Sequence, residues 1–536
     1  MLGKRALLRG VVALACVGAC GKSSKEGGGA ASAKATTPEA EGPQRGGHIK
    51  LPSNEPRYTN PIIETRFDVA AGLIFEGLVG VDAKYDPVKR LAESWTISDD
   101  GKVITFKLRQ GAVWQDGEKI TSKDVAFTFD AVRRTTASTV WKGYMAPVAN
   151  IETPDPQTVV VTYTEPYAPA LITWTMPILP EHVYKGDLLQ SPGNTAPIGS
   201  GPFKLVRWEP GKRMLLEAND KWWYGRANVD SIELVFGISD AEMLDALRRG
   251  QIDWAPIRNV DDWNSAQAGD FRADYEESDV LESVIRLIAW NTQKAPLDDK
   301  RVRQALTLAM NRPRVIDDVL LGQAQGLSGP FFPTMFGADP SIAPWPFDLD
   351  KAKKMLAEVT KGKRLPLDII AIESQRGPIA DQTFAIFKHD METIGVDLKL
   401  ELLPSREYFD RLAKRDYDGD YFGWLPDIPD PDPYALLHSS QIGVGPNYAA
   451  YANNDVDKLL DQARATTKKD DRKALYAKIH ATVADELPYT PLYAPFGHYA
   501  WSRRLRGVNP RDLGPTMLFP GVARWWVTQK ASSPGS

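Results

Sequence analysis

Three carboxylates stand close together in the run Leu425-Pro426-Asp427-Ile428-Pro429-Asp430-Pro431-Asp432-Pro433-Tyr434, directly behind Trp424. Carboxylates so placed have three chemical uses. They pair with a cation that a cleft takes out of water, since a buried charge without a partner is costly. They ligate calcium, or they sit solvated in a turn. Calcium fits poorly, because the prolines and the missing glycine do not match an EF-hand loop. Trp424 and Tyr434 at the ends of the run are either ligand-stacking walls or core packing. A second candidate is Arg376 in Ile372-Glu373-Ser374-Gln375-Arg376-Gly377-Pro378. Its planar fork suits bidentate bonding to a carboxylate, and its plain alternative is a surface-loop cation. Gly199-Ser200-Gly201 is no nucleophile elbow, because Ile198 stands where that turn needs a glycine. The six histidines are scattered without an HxxxH pair. No catalytic residue, metal or cofactor is therefore expected.

The elements that must carry these residues are legible as periodicity. Ile104, Phe106 and Leu108 alternate with polar residues as in a half-buried strand, between the turn dipeptides Asp100-Gly101 and Asp116-Gly117. Thr121 and Asp124 are spaced as a capping box ahead of Val125, Phe127 and Phe129. Further strands are expected at Gly46–Leu51, Val159–Tyr163 and Leu367–Ile370, the last leading to Arg376 and then a helix towards Gly395. A helix is expected from Ile238 to Gly250, with Gln251–Trp254 continuing as a strand. Val302, Ala305, Leu306, Ala309 and Met310 mark one helix, capped by Asp298 or Asp299. Val456, Leu459, Leu460 and Ala463 mark another, and Leu475, Ile479 and Val483 a third that stops before Pro488. The mixture is α/β, and no repeat of solenoid length is present.

The run from Gly72 to Phe129, GLIFEGLVGVDAKYDPVKRLAESWTISDDGKVITFKLRQGAVWQDGEKITSKDVAFTF, resembles the segment that marks family 5 extracellular solute-binding proteins. So do GSGPF with Asn219 and Lys221-Trp222-Trp223, the DALRRGQID and VRQALTLAMNR runs, Asn291, and the GW-x-x-D-x-x-D-P block. The resemblance covers about residues 46–527 and implies a two-lobe clamp of the large peptide-binding type. Lobe 1 would be built from 46–75, 196–288 and 498–536, lobe 2 from 289–497, and an extra α/β region from 76–195. It implies the capture subunit of an ABC importer, working as a monomer with a membrane permease and ATPase. The small-molecule ligand would be a short peptide, with an oligosaccharide or other solute, or a sensing role, as alternatives. It also implies that Asp427 pairs with a peptide's ammonium and that Arg376 grips its carboxylate.

The ends of the chain speak to location. Lys4, Arg5 and Arg9 precede a short apolar stretch, Gly10–Ala19, too short to span a bilayer. Val17-Gly18-Ala19-Cys20 is similar to a lipobox, which implies a signal peptide over 1–20, a lipid on Cys20 and a membrane-anchored periplasmic protein. Residues 21–45 read as a flexible linker. Both cysteines, Cys16 and Cys20, fall in the leader, so no disulfide is expected in the mature body. With 65 basic and 69 acidic residues and no basic block, nothing supports nucleic-acid binding.

Overall fold

The computed structural model describes residues 42–64, 69–267, 270–426, 428–514 and 517–528. Cys20, the leader and Asp427 lie outside the described residues. The strand His48–Pro52 enters a four-stranded sheet beside Ser231–Val235, in parallel, followed by Arg213–Ala218 and Phe203–Glu209. Its alternate residues Ile49, Leu51, Ile232, Leu234 and Leu216 are buried, as period-2 patterning requires. The helix after this sheet is shorter than the sequence suggests. A 3-10 turn, Asp240–Glu242, leads into Met243–Arg248, and Gly250 follows at φ +65°. The next strand begins at Trp254, so Gln251–Asp253 do not extend as expected. The reason is Asp253, whose carboxylate accepts from the Lys50 N–H at 2.8 Å and pairs with Arg504 at 2.5 Å, holding a turn there.

A second four-stranded sheet, antiparallel throughout, runs in the order Ala92–Ile97, Val103–Leu108, Thr158–Tyr163, Val148–Asp155. Gly101 and Gly117 take φ +69° and +104° in the turns predicted for them. The helix Ser122–Arg134 starts where expected, the Thr121 N–H donating to the Asp124 carboxylate at 2.9 Å. This region does not keep a core of its own. Phe106, Trp114 and Trp174 belong to one apolar cluster with Ile49, Leu216, Leu234 and Trp525.

One buried carboxylate organises the junction. Glu76 accepts from the indole N–H groups of Trp222 at 3.1 Å and Trp223 at 2.7 Å, with the Arg90 guanidinium 3.7 Å away. Burial lifts its pKa above the usual carboxylate range, and Arg90 and the two indoles oppose that rise. Two sequence runs more than a hundred residues apart thus meet at one side chain.

The third assembly is an eight-stranded sheet. Ile285–Trp290 pairs with Gly419–Trp424, which lies parallel to Leu365–Ile372 and through it to Val396–Leu403. Helices Lys300–Ala309, Leu349–Thr360 and Pro378–Thr393 contribute to the apolar cluster on one side. Asn454–Ala465 and Lys469–Glu486 contribute to a separate cluster with Leu287 and Phe422. The Asp299 side chain caps Lys300–Ala309 through the Arg301 N–H.

The strand Tyr489–Ser502 joins the two halves. Its first residues pair with Ile285–Trp290, and its last with Tyr275–Leu281 and with Trp254–Ile257. Among the described residues the chain passes between these two groups of strands along this strand and again between Leu281 and Ile285, where Glu282, Ser283 and Val284 break the pairing.

Candidate functional site

A cavity of about 380 Å³ lies at this crossing. That is within the usual range for small-molecule sites, and an interface between lobes is a usual place for one. Its walls come from several distant parts of the chain. Pro52–Asn54, Trp254 and Arg258 line it from segments before the Leu281–Ile285 crossing, and Met335, Leu425 and Pro426 from segments after it. Glu282 and Ser283 line it from the crossing segment, Tyr499 from the long strand, Arg511 from the C-terminal segment and Tyr85 from the middle region.

The lining mixes aromatic area with charges of both signs. The Trp254 and Tyr499 rings stack, with centroids 5.4 Å apart. The Tyr499 hydroxyl donates to Glu282 Oε1 at 3.2 Å. Burial and the neighbouring Glu282 charge push that phenol above its ordinary value, so it stays a donor. Arg258 pairs with Asp240 at 3.3 Å, both largely exposed, a weak tie that a ligand can replace. Trp254 is 5% exposed, and its indole N–H is buried with no acceptor among the described residues. A buried donor left unpaired costs about 1–3 kcal/mol, which this wall bears within the protein.

Leu425 and Pro426 enter the lining because the proline-rich loop behind them is fixed. Asp430 takes two hydrogen bonds from Arg472, at 2.7 and 3.0 Å, with both side chains almost fully buried. Burial works against the Arg472 charge, but the Asp430 carboxylate opposite more than restores it, holding the guanidinium above its ordinary pKa. Asp432 pairs with Arg464 at 2.6 Å. Two of the three carboxylates are therefore committed to arginines, and the calcium alternative loses two of its ligands. Among the described residues no group of three metal-ligating side chains is present.

The other predicted site residues are spread out. Trp424 ends the strand Gly419–Trp424 and is half-buried against the Leu287–Phe422 cluster, next to the cavity-lining Leu425. Tyr434 is held between the His438 ring, 4.1 Å away and stacked, and the Arg464 guanidinium, 3.5 Å from its centroid. Arg376 follows the turn Glu373–Gln375, is 60% exposed, and approaches Glu373 at 3.8 Å. Trp424, Tyr434 and Arg376 do not line the cavity. Arg258, Glu282, Tyr499, Arg511 and Tyr85 do, and sequence reading did not single them out. The one available signal was the break at Glu282–Val284 between two strand-like runs.

Comparison with known proteins gives a consistent result. The model of bacterial extracellular solute-binding proteins, family 5 middle, matches residues 86–445. The oligopeptide-binding protein AppA of Bacillus subtilis is 27% identical over 522 residues, covering 91% of this chain and 93% of that protein. Its solved structure in complex with a nonapeptide matches with a TM-score of 0.74 at 25% identity, over 91% of this chain and all of that one (100%). The dipeptide-binding protein of Escherichia coli is 28% identical, over 79% of this chain and 84% of that protein. Heme-binding protein A of Haemophilus influenzae is 27% identical, over 79% of this chain and 82% of that protein.

Proposed function

The chain belongs to the bacterial extracellular solute-binding proteins of family 5, and on that premise we propose that it is the substrate-binding subunit of an ABC importer that captures a short peptide. The observation that carries the peptide reading is the cavity lining: a carboxylate at Glu282 and arginines at 258 and 511 around the aromatic walls of Trp254 and Tyr499. A peptide offers an ammonium and a carboxylate to such a set. The peptide-binding relatives support it, and the heme-binding one marks the alternative of a non-peptide solute. Asp427, between the cavity-lining Pro426 and the buried Ile428, is the proposed partner of the ammonium. Arg376 would serve the carboxylate only if its loop moved to the cavity, whereas Arg258 and Arg511 stand there already.

In this mechanism the open cleft takes up the ligand and the lobes close over it about the crossing strands. A ligand favours closure because only the closed state makes contacts from both lobes. Contacts also join the middle region to the second lobe away from the cavity. Lys469 of the second lobe pairs with Asp86 of the middle region, and the Ala168 N–H donates to the Arg464 carbonyl at 2.5 Å. Delivery to a permease and tethering through a lipid on Cys20 complete the proposal. No helix among the described residues is long and apolar enough to cross a membrane.

Tryptophan fluorescence titration tests the cargo class, since Trp254 lines the cavity. Di- and tripeptides are expected to give a saturable change in the protein purified without denaturation. A response only to an oligosaccharide, to heme or to a metal–amino-acid complex would overturn the peptide reading.

A further inference from the structure

A second, smaller cavity of about 170 Å³ lies between the middle region and the second lobe. Among the described residues Tyr85 is the only one that lines both cavities. The boundary can be followed on either side of it. Met335 faces the main cavity and its neighbour Phe336 the smaller one. Pro426 lines the main cavity, while Pro429 and Asp430 line the smaller one. Tyr85 therefore stands in the wall between two voids that adjacent residues of the same segments enclose.

Its placement is enforced. Tyr85 sits at φ +60°, a left-handed backbone that bulky side chains avoid. The turn holding it there is closed by the Asp82 carboxylate, which accepts from the N–H groups of Lys84 at 2.8 Å and Asp86 at 3.0 Å. Its hydroxyl bonds Ser283 Oγ at 3.0 Å, and Ser283 Oγ in turn meets Thr334 Oγ1 at 3.1 Å. The ring is thus tied to the crossing segment and to the second lobe. Arg511 reaches the Ala83 carbonyl at 3.3 Å, and Lys469 pairs with Asp86, so the turn is held on two further sides.

We propose that Tyr85 is a specificity-determining residue: its ring closes the main cavity at the middle-region end, and the smaller cavity behind it is an extension subsite that takes the end of a longer chain. The claim about ligand length rests on the peptide reading of the main cavity. The smaller cavity offers such an end Tyr167, Leu171 and Phe336 for apolar contact. Its charged lining residues pair with one another, Asp430 with Arg472 and Asp86 with Lys469, and the second pair is half exposed, so a charged chain end can be met there.

The test compares wild type, Tyr85→Gly and Tyr85→Phe of the full chain. Glycine accepts the left-handed backbone freely, so the first variant removes the ring without disturbing the turn. Phenylalanine keeps the ring and removes only the bond to Ser283. Calorimetric titration with alanine peptides of two to six residues gives a length profile for each. Tyr85→Gly is expected to bind the longer peptides about tenfold or more tightly relative to the shortest than wild type does. Tyr85→Phe is expected to keep the wild-type cut-off while losing affinity evenly across lengths. Length profiles that coincide for wild type and Tyr85→Gly, or an even loss in Tyr85→Gly, would overturn the proposal. Should no peptide bind wild type, the peptide reading fails and a crystal structure of Tyr85→Gly decides the partition alone. One continuous void would support the wall, and two separate voids would overturn it.

Discussion

Two loops of the second lobe carry the charges that the sequence offers for ligand binding, and they are built differently. The proline-rich loop after Trp424 is nailed down by Asp430 on Arg472 and Asp432 on Arg464, and its first residues line the interlobe cavity. The loop at Arg376 has an exposed arginine and a single exposed partner at 3.8 Å, and it does not reach the cavity. A recognition group must be held in place before the ligand arrives, because ordering it afterwards subtracts from affinity. The first loop meets that condition and the second does not.

Arg472→Ala attacks the rigid side of this contrast most directly. It leaves the buried Asp430 without its counter-charge, only the Asp432 N–H still donating to it, and a loss of about 3–5 kcal/mol in unfolding free energy is expected, measured by denaturant titration. Replacing both Arg472 and Asp430 by apolar residues of similar size should recover much of it, which separates an unpaired charge from lost packing.

The strand feeding that loop gives the next effect. Asp420 is wholly buried, accepts from the Tyr408 hydroxyl at 3.0 Å, and is pushed up to about 8 by burial. Below about pH 4 the carboxyl is neutral in both folded and unfolded chains. As pH rises towards 8 the unfolded chain ionises while the folded one holds its proton, so stability falls through that window. Asp420→Asn removes the titration. It should stabilise the protein at pH 8 relative to pH 5 by on the order of 2 kcal/mol more than wild type, read from melting curves across pH.

Arg464→Ala frees Asp432 and uncovers Tyr434 at the partly exposed end of the loop, and about 1 kcal/mol is expected in the same denaturant titration. Arg376→Ala sharpens the contrast from the other side. Its stability should lie within ~0.5 kcal/mol of wild type. Its ligand affinity should change less than that of Arg258→Ala. A larger loss in Arg376→Ala would mean that the exposed loop moves onto the ligand.

Much of this architecture could be read from local pattern. The alternation at Ile104–Leu108, the helix stripe at Val302–Ala309 and the cap at Asp299 depend on neighbours in sequence, and the structure has them. Gln251–Asp253 departed from expectation because a distant arginine, Arg504, fixes Asp253 in a turn. The site was less legible for the same reason. Arg258, Glu282, Tyr499, Arg511 and Tyr85 come from separate segments, and each is unremarkable among its sequence neighbours. Tyr85 is the sharpest case, since a tyrosine in a left-handed turn is visible only in the backbone angles. The proline-rich block was legible as a site region, but the commitment of Asp430 and Asp432 to arginines 42 and 32 residues away was not.

The most direct test of a solute-binding role is native mass spectrometry of the protein purified without denaturation, with fragmentation of whatever leaves the cavity. The account predicts a set of short peptides bound one per chain, lost on Asp427→Ala. A single sugar, heme or metal adduct in their place would contradict peptide cargo, and a cavity that retains nothing and binds no peptide on addition would contradict capture itself.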